Sequence, residues 1–387
     1  MNIIQNADFE GRNVLLRIDA DVKFADGEII DDGRLKASLP TIQYLLEKGA
    51  KVTIIGHLGR PKGKYVAELK IRPVEDKLIE LLGTHTNWQI LENLRFNPGE
   101  ENNEAEFAKQ LAAGQDLFVQ DAFASCHRAH ASTVGVAQIL PSYAGLSVQK
   151  EVENLTKILE TKDNFTIIIG GKKAEDKLPV IINLFDKADI FLLGGVVANT
   201  FLVAQGYNLG KSLVEKEVIE KSKMIMAKFK ENPQKKILLP IDLVFSKSIS
   251  EPQEVKICKV DELAEVEEFF AVDIGLETIR GYKEIITRAK TIFWNGNMGV
   301  SEIEEFSQGT KAITSVIAKN LSAQKYAGGG DTTAFIRESG MDGSFEYLST
   351  GGGATLEFLG GKKLPGLEAL GYNNERNEKR KNCHFRR

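Results

Sequence analysis

Four times in its second half the sequence runs from an apolar, strand-like stretch straight into adjacent glycines. TIIIGG ends at Gly170 and Gly171, IFLLGG at Gly194 and Gly195, KYAGGG at Gly328, Gly329 and Gly330, and YLSTGGG at Gly351, Gly352 and Gly353. Glycine lets backbone N–H groups approach an anion closely, and a helix starting just beyond adds the positive end of its dipole. In a parallel sheet such turns would collect along one edge, where a nucleotide's phosphates could be held. The first half carries a different set. Arg17, Arg34, His57, Arg60, Arg95, Arg128 and His130 sit at or just beyond apolar runs such as NVLLRID, KVTIIGHLGR and DLFVQDAF, which suits an anionic small molecule. Two unlike anion sites in one chain suggest phosphoryl transfer between them.

Individual segments sharpen this reading. GGGDTTAF offers the carboxylate of Asp331 immediately after glycines, which suits Mg²⁺ held by one carboxylate and phosphates; a plain helix N-cap reads equally well. GGKKAEDKLP supplies Lys172, Lys173 and Lys177 beside a glycine turn, favouring phosphate contact over solvated surface, with Pro179 expected in the first turn of the following helix. STGGGATLEFL sets three glycines at the mouth of a short helix that Leu356, Phe358 and Leu359 can pack down and Gly360 can end. His57 reads as a buried histidine or, with Arg60 three residues on, as an anion ligand. Cys126, His127 and His130 raise a zinc site that lacks a fourth ligand and a clear spacing. The stretch from Gly206 to Ser212 is one residue short of a P-loop and reads as a turn, and the dinucleotide fingerprint and protein-kinase motifs are absent.

These groups need a scaffold, and the pattern supplies one. Strand-like runs alternate with helix-like segments almost throughout, which predicts an α/β protein with parallel sheets. Strands are expected at Val14 to Ile18, Lys51 to Ile55, Asp116 to Val119, Thr166 to Ile169, Ile190 to Leu193, Lys236 to Leu239 and Thr291 to Trp294. Helical spacing runs over Leu39 to Glu47 and Val74 to Leu82, with Pro73 at a helix start. At 387 residues the chain exceeds the size at which one core usually keeps growing, so two domains are expected. Over Val148 to Lys162, Val152, Leu155, Ile158 and Leu159 share one helical face, reading either as a stiff interdomain helix or as a surface helix of one domain. The polar, basic residues 372–387 predict a disordered tail.

Composition excludes several classes. Hydrophobic content of 42% and charge of 27% are those of a globular protein able to bury sizeable cores. A net charge of −4 and a pI near 5.9 argue against a general nucleic-acid binder. The three cysteines, Cys126, Cys258 and Cys383, are widely spaced and form no disulfide framework, which suits a reducing cytoplasm. Neither a secretion signal nor a membrane span is expected.

Taken in order, RIDADV, DDGRLKASLPTI, GHLGRP, LENLRF, DAFASCHRAHAS, GGKKAEDK, LLGGVVANTF, WNGNMGVSE, GGGDTT, STGGGATLEFL and LPGLEAL resemble the motifs of the phosphoglycerate kinase family from near the N-terminus to Leu370. The resemblance implies a monomer of two doubly wound, Rossmann-like parallel-sheet domains joined by a hinge helix. Residues 1–147 would bind 3-phosphoglycerate, joined by about 362–371; 148–162 would form the interdomain helix and 163–361 the nucleotide domain. It implies reversible transfer of the γ-phosphoryl of MgATP to the carboxylate of 3-phosphoglycerate, giving 1,3-bisphosphoglycerate and ADP. Carried over, the acceptor pocket falls on Asp19, Asp21, Arg34, His57, Arg60, Arg95 and Arg128, with His130 lining the basic cleft and Arg34 near the transferring group. On the donor side, Lys173 would follow the moving phosphoryl and Lys177 grip ATP phosphates. Gly194 and Gly195 would wall the adenine pocket, Asn295 touch the nucleotide, Glu302 take the ribose, and Asp331 the Mg²⁺ with Thr332 beside it. Gly328, Gly329 and Gly330 would contact the nucleotide, Gly351 face the phosphates, and Gly352 and Gly353 join the catalytic set.

The chain departs from the family pattern at several of these places. Asp21 stands for asparagine, Gly56 for serine, Gln120 for asparagine and Ala124 for glycine; Lys172 stands for alanine, Asn297 for proline and Ser301 for phenylalanine. An ionised Asp21 beside an anionic substrate is expected to weaken its binding unless an arginine compensates. A carboxylate acceptor is already ionised at neutral pH, so attack needs no general base; the tasks are to neutralise, align and exclude water. The competing readings are a kinase for another small phosphorylated carboxylic acid, and a catalytically impaired descendant that binds nucleotide or nucleic acid.

Overall fold

The computed structural model describes residues 1–25, 28–83, 87–162 and 164–373, and the chain divides into two compact units. One comprises Met1–Glu153 with the chain from Lys362 onward; the other comprises Asn154–Gly361. The expected disordered tail lies outside the described residues beyond Asn373.

In the first unit β1 (Asn13–Arg17) is followed by an antiparallel hairpin, β2 (Lys23–Ala25) and β3 (Glu28–Asp31), and then by β4 (Lys51–Ile55), β5 (Trp88–Ile90), β6 (Leu117–Gln120) and β7 (Ser142–Ala144). The main sheet has the order β5-β4-β1-β6-β7 with every neighbouring pair parallel. From β1 the chain winds outward to β4 and β5, then crosses back to β6 and β7, so the order reverses between β1 and β6. Val14, Leu15 and Leu16 are fully buried on both faces of the sheet, each contributing roughly 1.5–3 kcal/mol. The helices are α1 (Gly33–Glu47), α2 (Arg72–Leu82), α3 (Pro98–Glu101) and α4 (Ala105–Ala112), and α5 (Leu146–Glu160) begins here and continues past Glu153 into the second unit. Helix α1 starts well before the expected Leu39, because Leu35, Ser38, Ile42 and Leu45 continue one buried face backward despite Pro40.

The second unit repeats the logic with β8 (Phe165–Ile169), β9 (Ile190–Leu193), β10 (Lys236–Leu238), β11 (Asp242–Ser246), β12 (Lys256–Lys259), β13 (Phe270–Ile274), β14 (Thr291–Asn295), β15 (Gln324–Gly328) and β16 (Tyr347–Ser349). Six of these form a parallel sheet in the order β10-β9-β8-β14-β15-β16, and β12-β11-β13 form a small antiparallel sheet. Here the order reverses between β8 and β14, the kind of point where open α/β sheets leave a crevice at their carboxyl edge. The helices are α6 (Ala174–Leu184), α7 (Gly195–Ala204), α8 (Ile219–Glu231), α9 (Leu276–Arg288), α10 (Gln308–Lys319), α11 (Gly330–Glu338) and α12 (Gly353–Leu359). Pro179 lies in the second turn of α6 and not the first, because the helix starts at Ala174.

After Gly361 the chain re-enters the first unit, where α13 (Pro365–Glu368) lies against Cys126. Gly366 N–H donates to the Cys126 carbonyl at 2.9 Å, and Asn2 N–H to the Leu370 carbonyl at 2.9 Å. A Cβ at Gly366 would stand 2.9 Å from the Cys126 backbone, so only glycine allows this approach. Among the described residues no helix is long and apolar enough to cross a membrane.

Candidate active site

All four glycine turns of the second unit sit at the carboxyl ends of parallel strands: after β8, after β9, at the end of β15 and after β16. A fifth, at Gly296 after β14, completes the row. These turns pack directly on one another. Gly170 N–H donates to the Asn295 carbonyl at 2.9 Å, Gly171 N–H to that of Asn297 at 2.7 Å, and Gly195 N–H to that of Met298 at 2.9 Å. A Cβ on Gly296 would lie 2.1 Å from the Gly170 oxygen, and its φ is +92°, so no side chain fits there.

At this edge opens a cleft of about 310 Å³, the size of small-molecule pockets. It is lined by Lys173, Lys177, Asn295, Glu302, Gly329, Gly330, Asp331, Thr332 and Gly352 from the expected set, and also by Lys172, Asn297 and Ser301. Gly194, Gly195, Gly328, Gly351 and Gly353 do not line it. Gly194 instead backs onto Met298, whose Sδ a Cβ would meet at 2.6 Å, and Gly351 is buried with its N–H donating to Ser349 Oγ at 3.2 Å. Asn295 closes β14 and donates through Nδ2 to the Gly328 carbonyl at 2.8 Å, tying two of the turns together. Thr332 Oγ1 accepts from Gly296 N–H at 2.8 Å. Asp331 stands in the first turn of α11 and does not cap it, because the N-cap position belongs to Gly329.

Lys177 is the buried cation of the cleft. It rises from α6 to hydrogen-bond the Gly170 carbonyl. Burial pushes its ammonium down to about 8; Asp176, Glu215 and Asp331 oppose the shift and Lys173 adds to it. Lys172 and Glu302, both largely exposed, pair at 3.4 Å across the mouth.

The first unit gathers its basic groups at the carboxyl ends of β1 and β4, in the first turn of α1 and in the loops after β5 and β6. Arg34 Nη1 lies 3.7 Å from Asp19 Oδ1 and 3.8 Å from Asp21 Oδ2, and donates to the Asp21 carbonyl at 2.9 Å. Asp19 first, with Asp21 and Asp31, holds the Arg34 guanidinium above its ordinary value against the opposing effect of burial. Asp21 Oδ1 accepts from Gly59 N–H at 2.9 Å, so its carboxylate is compensated by an arginine and an amide. Arg95 is buried, donates to the Gly59 carbonyl at 2.8 Å, and has Nε 3.2 Å from Glu101. Arg128 is half-buried and its Nε donates to His127 Nε2 at 3.0 Å. His130 is buried with Nδ1 3.6 Å from Glu100 Oε1. Arg60 stands exposed and bonds to none of the described residues.

His57 is not a cation of this cluster. Arg17 can only donate, so the 2.7 Å contact between its guanidinium and His57 Nδ1 makes Nδ1 the acceptor and leaves the proton on Nε2, 3.8 Å from Asp21. Burial and then the charges of Arg17, Arg95, Arg34 and His130 hold its pKa well below the ordinary histidine value. At neutral pH His57 is therefore a neutral N–H donor.

Arg17 itself, read from sequence as part of the pocket, is completely buried behind it. It donates to Ser132 Oγ at 3.0 Å and to the Ile18 carbonyl. Glu100, equally buried, accepts from the Ser132 hydroxyl at 2.6 Å and its amide at 3.0 Å. Burial raises the Glu100 pKa, but His130, Arg17 and Ser132 together outweigh it and the net shift is downward. Nothing in LRFNPGEENN separates this carboxylate from its exposed neighbours; its role follows only from Pro98 starting a turn that points it inward. Asp121, one residue past β6, accepts from the Ser147 and Val148 amides at 2.8 and 3.4 Å and so holds the start of α5. Cys126 is buried with its thiol on the Ala122 carbonyl, and no group of three or more candidate metal ligands occurs among the described residues.

The model of the family described as phosphoglycerate kinase matches residues 4–88 and 84–362. Phosphoglycerate kinases from Pelotomaculum thermopropionicum and Dictyoglomus turgidum are 43% and 44% identical over 389 residues, covering 95% of this chain and 98% and 97% of theirs. Solved phosphoglycerate kinase structures from Coxiella burnetii and Pyrococcus horikoshii superpose with TM-scores of 0.83 and 0.85 at 38% and 34% identity, covering 95% and 96% of this chain and 98% of each of theirs. With matches spanning nearly the whole length of both partners, and with two parallel-sheet units each presenting anion-binding groups, the chain belongs to the phosphoglycerate kinase family.

Proposed function

We propose that the family's reaction, reversible phosphoryl transfer from ATP to the carboxylate of 3-phosphoglycerate, is divided in this chain between the two clusters. The observation that carries the proposal is the second unit's cleft, where glycine turns, Lys173, Lys177 and Asp331 line one space at the carboxyl edge of a parallel sheet. ATP is the donor there. Lys177 holds phosphate oxygens, and exposed Lys173 is free to follow the phosphoryl as charge moves toward the acceptor. Asp331 fits Mg²⁺, which takes one or two carboxylates and completes its shell with phosphate and water, and Asp176 lines the same cleft. Bound there, the ion would offset charge on the phosphates.

In the first unit Arg34, Arg60, Arg95 and Arg128 supply positive charge for 3-phosphoglycerate, and His57 supplies a neutral N–H. Asp19 and Asp21 aim Arg34, and Glu100 with His130 and Arg17 backs the cluster. No base is needed, because the attacking carboxylate is already ionised. Acceptor and donor groups belong to different units, so the two ligands must meet in a closed, water-free state of the chain, and α5, which runs from one unit into the other, is the hinge we assign. The enzyme acts as a cytoplasmic monomer. Steady-state assays with ATP, 3-phosphoglycerate and Mg²⁺ test the assignment: ADP release should require all three, and Asp331→Ala and Arg34→Ala should each abolish most of it. Full activity in either variant would refute its role. The reading as an impaired binding protein is not favoured, since Arg34, Lys173 and Asp331 are all present.

A further inference from the structure

Ser132 stands in a π-helical turn, Ala131–Gly135, against which α3, α4 and α13 pack. Turns of this kind cluster at functional sites. The Ser132 side chain lies between two fully buried groups of opposite charge, Glu100 and Arg17. Donor and acceptor roles along this line are forced. Ionised Glu100 can only accept, so its Oε1 takes the Ser132 hydroxyl hydrogen at 2.6 Å and its Oε2 the Ser132 amide at 3.0 Å. The hydroxyl oxygen is left with lone pairs, which accept from Arg17 Nε at 3.0 Å. A guanidinium is a rigid planar fork. With Nε on Ser132 and Nη1 on the Ile18 carbonyl, Nη2 falls on His57 Nδ1 at 2.7 Å, with Ser125 Oγ at 3.4 Å beside it. The line ends at His57 Nε2–H, 3.8 Å from Asp21 Oδ2.

We propose that Glu100 and Ser132 are positioning residues: they order a one-way chain of hydrogen bonds, through Arg17 to His57, that presents His57 Nε2–H as a fixed donor to the anionic ligand of the first unit. The inference rests on 3-phosphoglycerate occupying that cluster. Ser132 has two effects. It converts the charge of Glu100 into an oriented acceptor for Arg17, and it separates carboxylate from guanidinium, whose direct pairing would draw Nη2 off the imidazole. Of the charges around Arg17, Glu100 does most to keep it protonated against burial. The other groups facing His57 are Arg34 on α1, Arg95 after β5, His130 before the π turn and Asp21 after β1. Arg34 and Arg95 oppose a second proton on the ring. With Nδ1 occupied as well, the donor does not switch as pH crosses the range in which a free histidine titrates.

Long-range proton–nitrogen NMR on the full chain, isotope-labelled at histidine, reads the tautomer directly, with the His57 signals assigned by their loss in His57→Gln. The wild type should show one neutral form, protonated at Nε2, from about pH 5.5 to about pH 8. Ser132→Ala removes both bonds of the hydroxyl, and Glu100→Gln offers Ser132 an amide N–H that reverses its role. In each variant His57 should show both neutral tautomers and titrate with a midpoint within about one unit of the ordinary value, about 6.5. Loss of a purely structural contact would lower the denaturant midpoint and leave the tautomer alone. Calorimetry with 3-phosphoglycerate gives the functional readout. The ratio of its dissociation constant at about pH 8 to that at about pH 6 should be severalfold larger in Ser132→Ala than in the wild type, because the released ring carries charge only at the lower pH; the ligand's own phosphate titration is common to both. A wild-type His57 protonated at Nδ1 or titrating near its ordinary value, or a ring unchanged in either variant, overturns the proposal. If His57→Gln binds 3-phosphoglycerate as tightly as the wild type, the acceptor reading of this cluster is refuted, and with it the ligand named here, a failure that leaves the tautomer signals as expected.

Discussion

Raising the pH from 7 to 9 should weaken nucleotide binding about tenfold, and Lys177 should be the cause. Its ammonium is buried and held down to about 8 in the ligand-free chain, so the cation we propose for the phosphates is half lost at pH 8. A bound phosphate stabilises the charged form, so ligand binding raises the pKa and draws in a proton. The apparent dissociation constant then scales with the reciprocal of the charged fraction: about 1.1 times its low-pH value at pH 7, about 2 times at pH 8 and about 11 times at pH 9. The ATP phosphates complete their own titration near pH 6 to 7 and add little in this range. Calorimetry in two buffers of different ionisation enthalpy reads both quantities, and at pH 8 about half a proton should be taken up per ADP bound. Arginine stays charged throughout, so Lys177→Arg should flatten the profile; Lys177→Met should weaken binding at every pH and also flatten it. A dissociation constant that is unchanged between pH 7 and 9, or a Lys177→Arg variant that keeps the slope, would refute the argument.

Three other outcomes follow from groups already described. Lys173→Ala should lower kcat by at least about a hundredfold while changing ATP affinity only severalfold, because its charge matters most as the phosphoryl moves; a loss confined to affinity would contradict that role. Asp21→Asn should reduce the Michaelis constant for 3-phosphoglycerate severalfold by removing a charge beside an anion while keeping an acceptor for Gly59 N–H, and an unchanged constant would show that Arg34 already cancels it. Burial raises the Asp121 carboxyl to about 8, above its unfolded value near 4, so the stability tied to its proton is fully present below about pH 4 and is lost as pH rises to about 8. Asp121→Asn lacks that dependence and should gain on the wild type by up to about 4 kcal/mol at pH 7, read from denaturant midpoints at pH 5 and pH 8; a difference that does not change with pH would remove the claim.

The sequence exposed the parts of the site that depend on residue type at a strand end. Adjacent glycines after TIII, IFLL, KYA and YLST announce themselves, and all four turns do share one sheet edge. Gly296 escaped because it stands alone in WNGNMG, although its turn is the one that binds Gly170 and Gly171 together. Depth was not legible. Arg17 and Arg34 look alike in a string, but one is wholly buried as the partner of His57 and the other faces Asp19 and Asp21. His57 reads as a buried histidine or an anion ligand, and only the guanidinium against its Nδ1 shows it to be buried and neutral. Glu100 and Asp121 carry no local signal, since their importance arises from chain segments brought beside them from Ser132 and from Ser147. Proline favours a first helical turn, which places Pro179 there from sequence; in α6 it stands one turn later.

In the reaction proposed, acceptor and donor are held by different parts of one chain and phosphoryl passes directly between them. The measurement that tests it most directly follows ADP release and 1,3-bisphosphoglycerate formation together, with ATP, Mg²⁺ and increasing 3-phosphoglycerate. The account predicts one bisphosphoglycerate per ADP, saturation in both substrates and negligible ADP release without the acceptor. ADP release that is independent of 3-phosphoglycerate, or that outruns product formation, would contradict it.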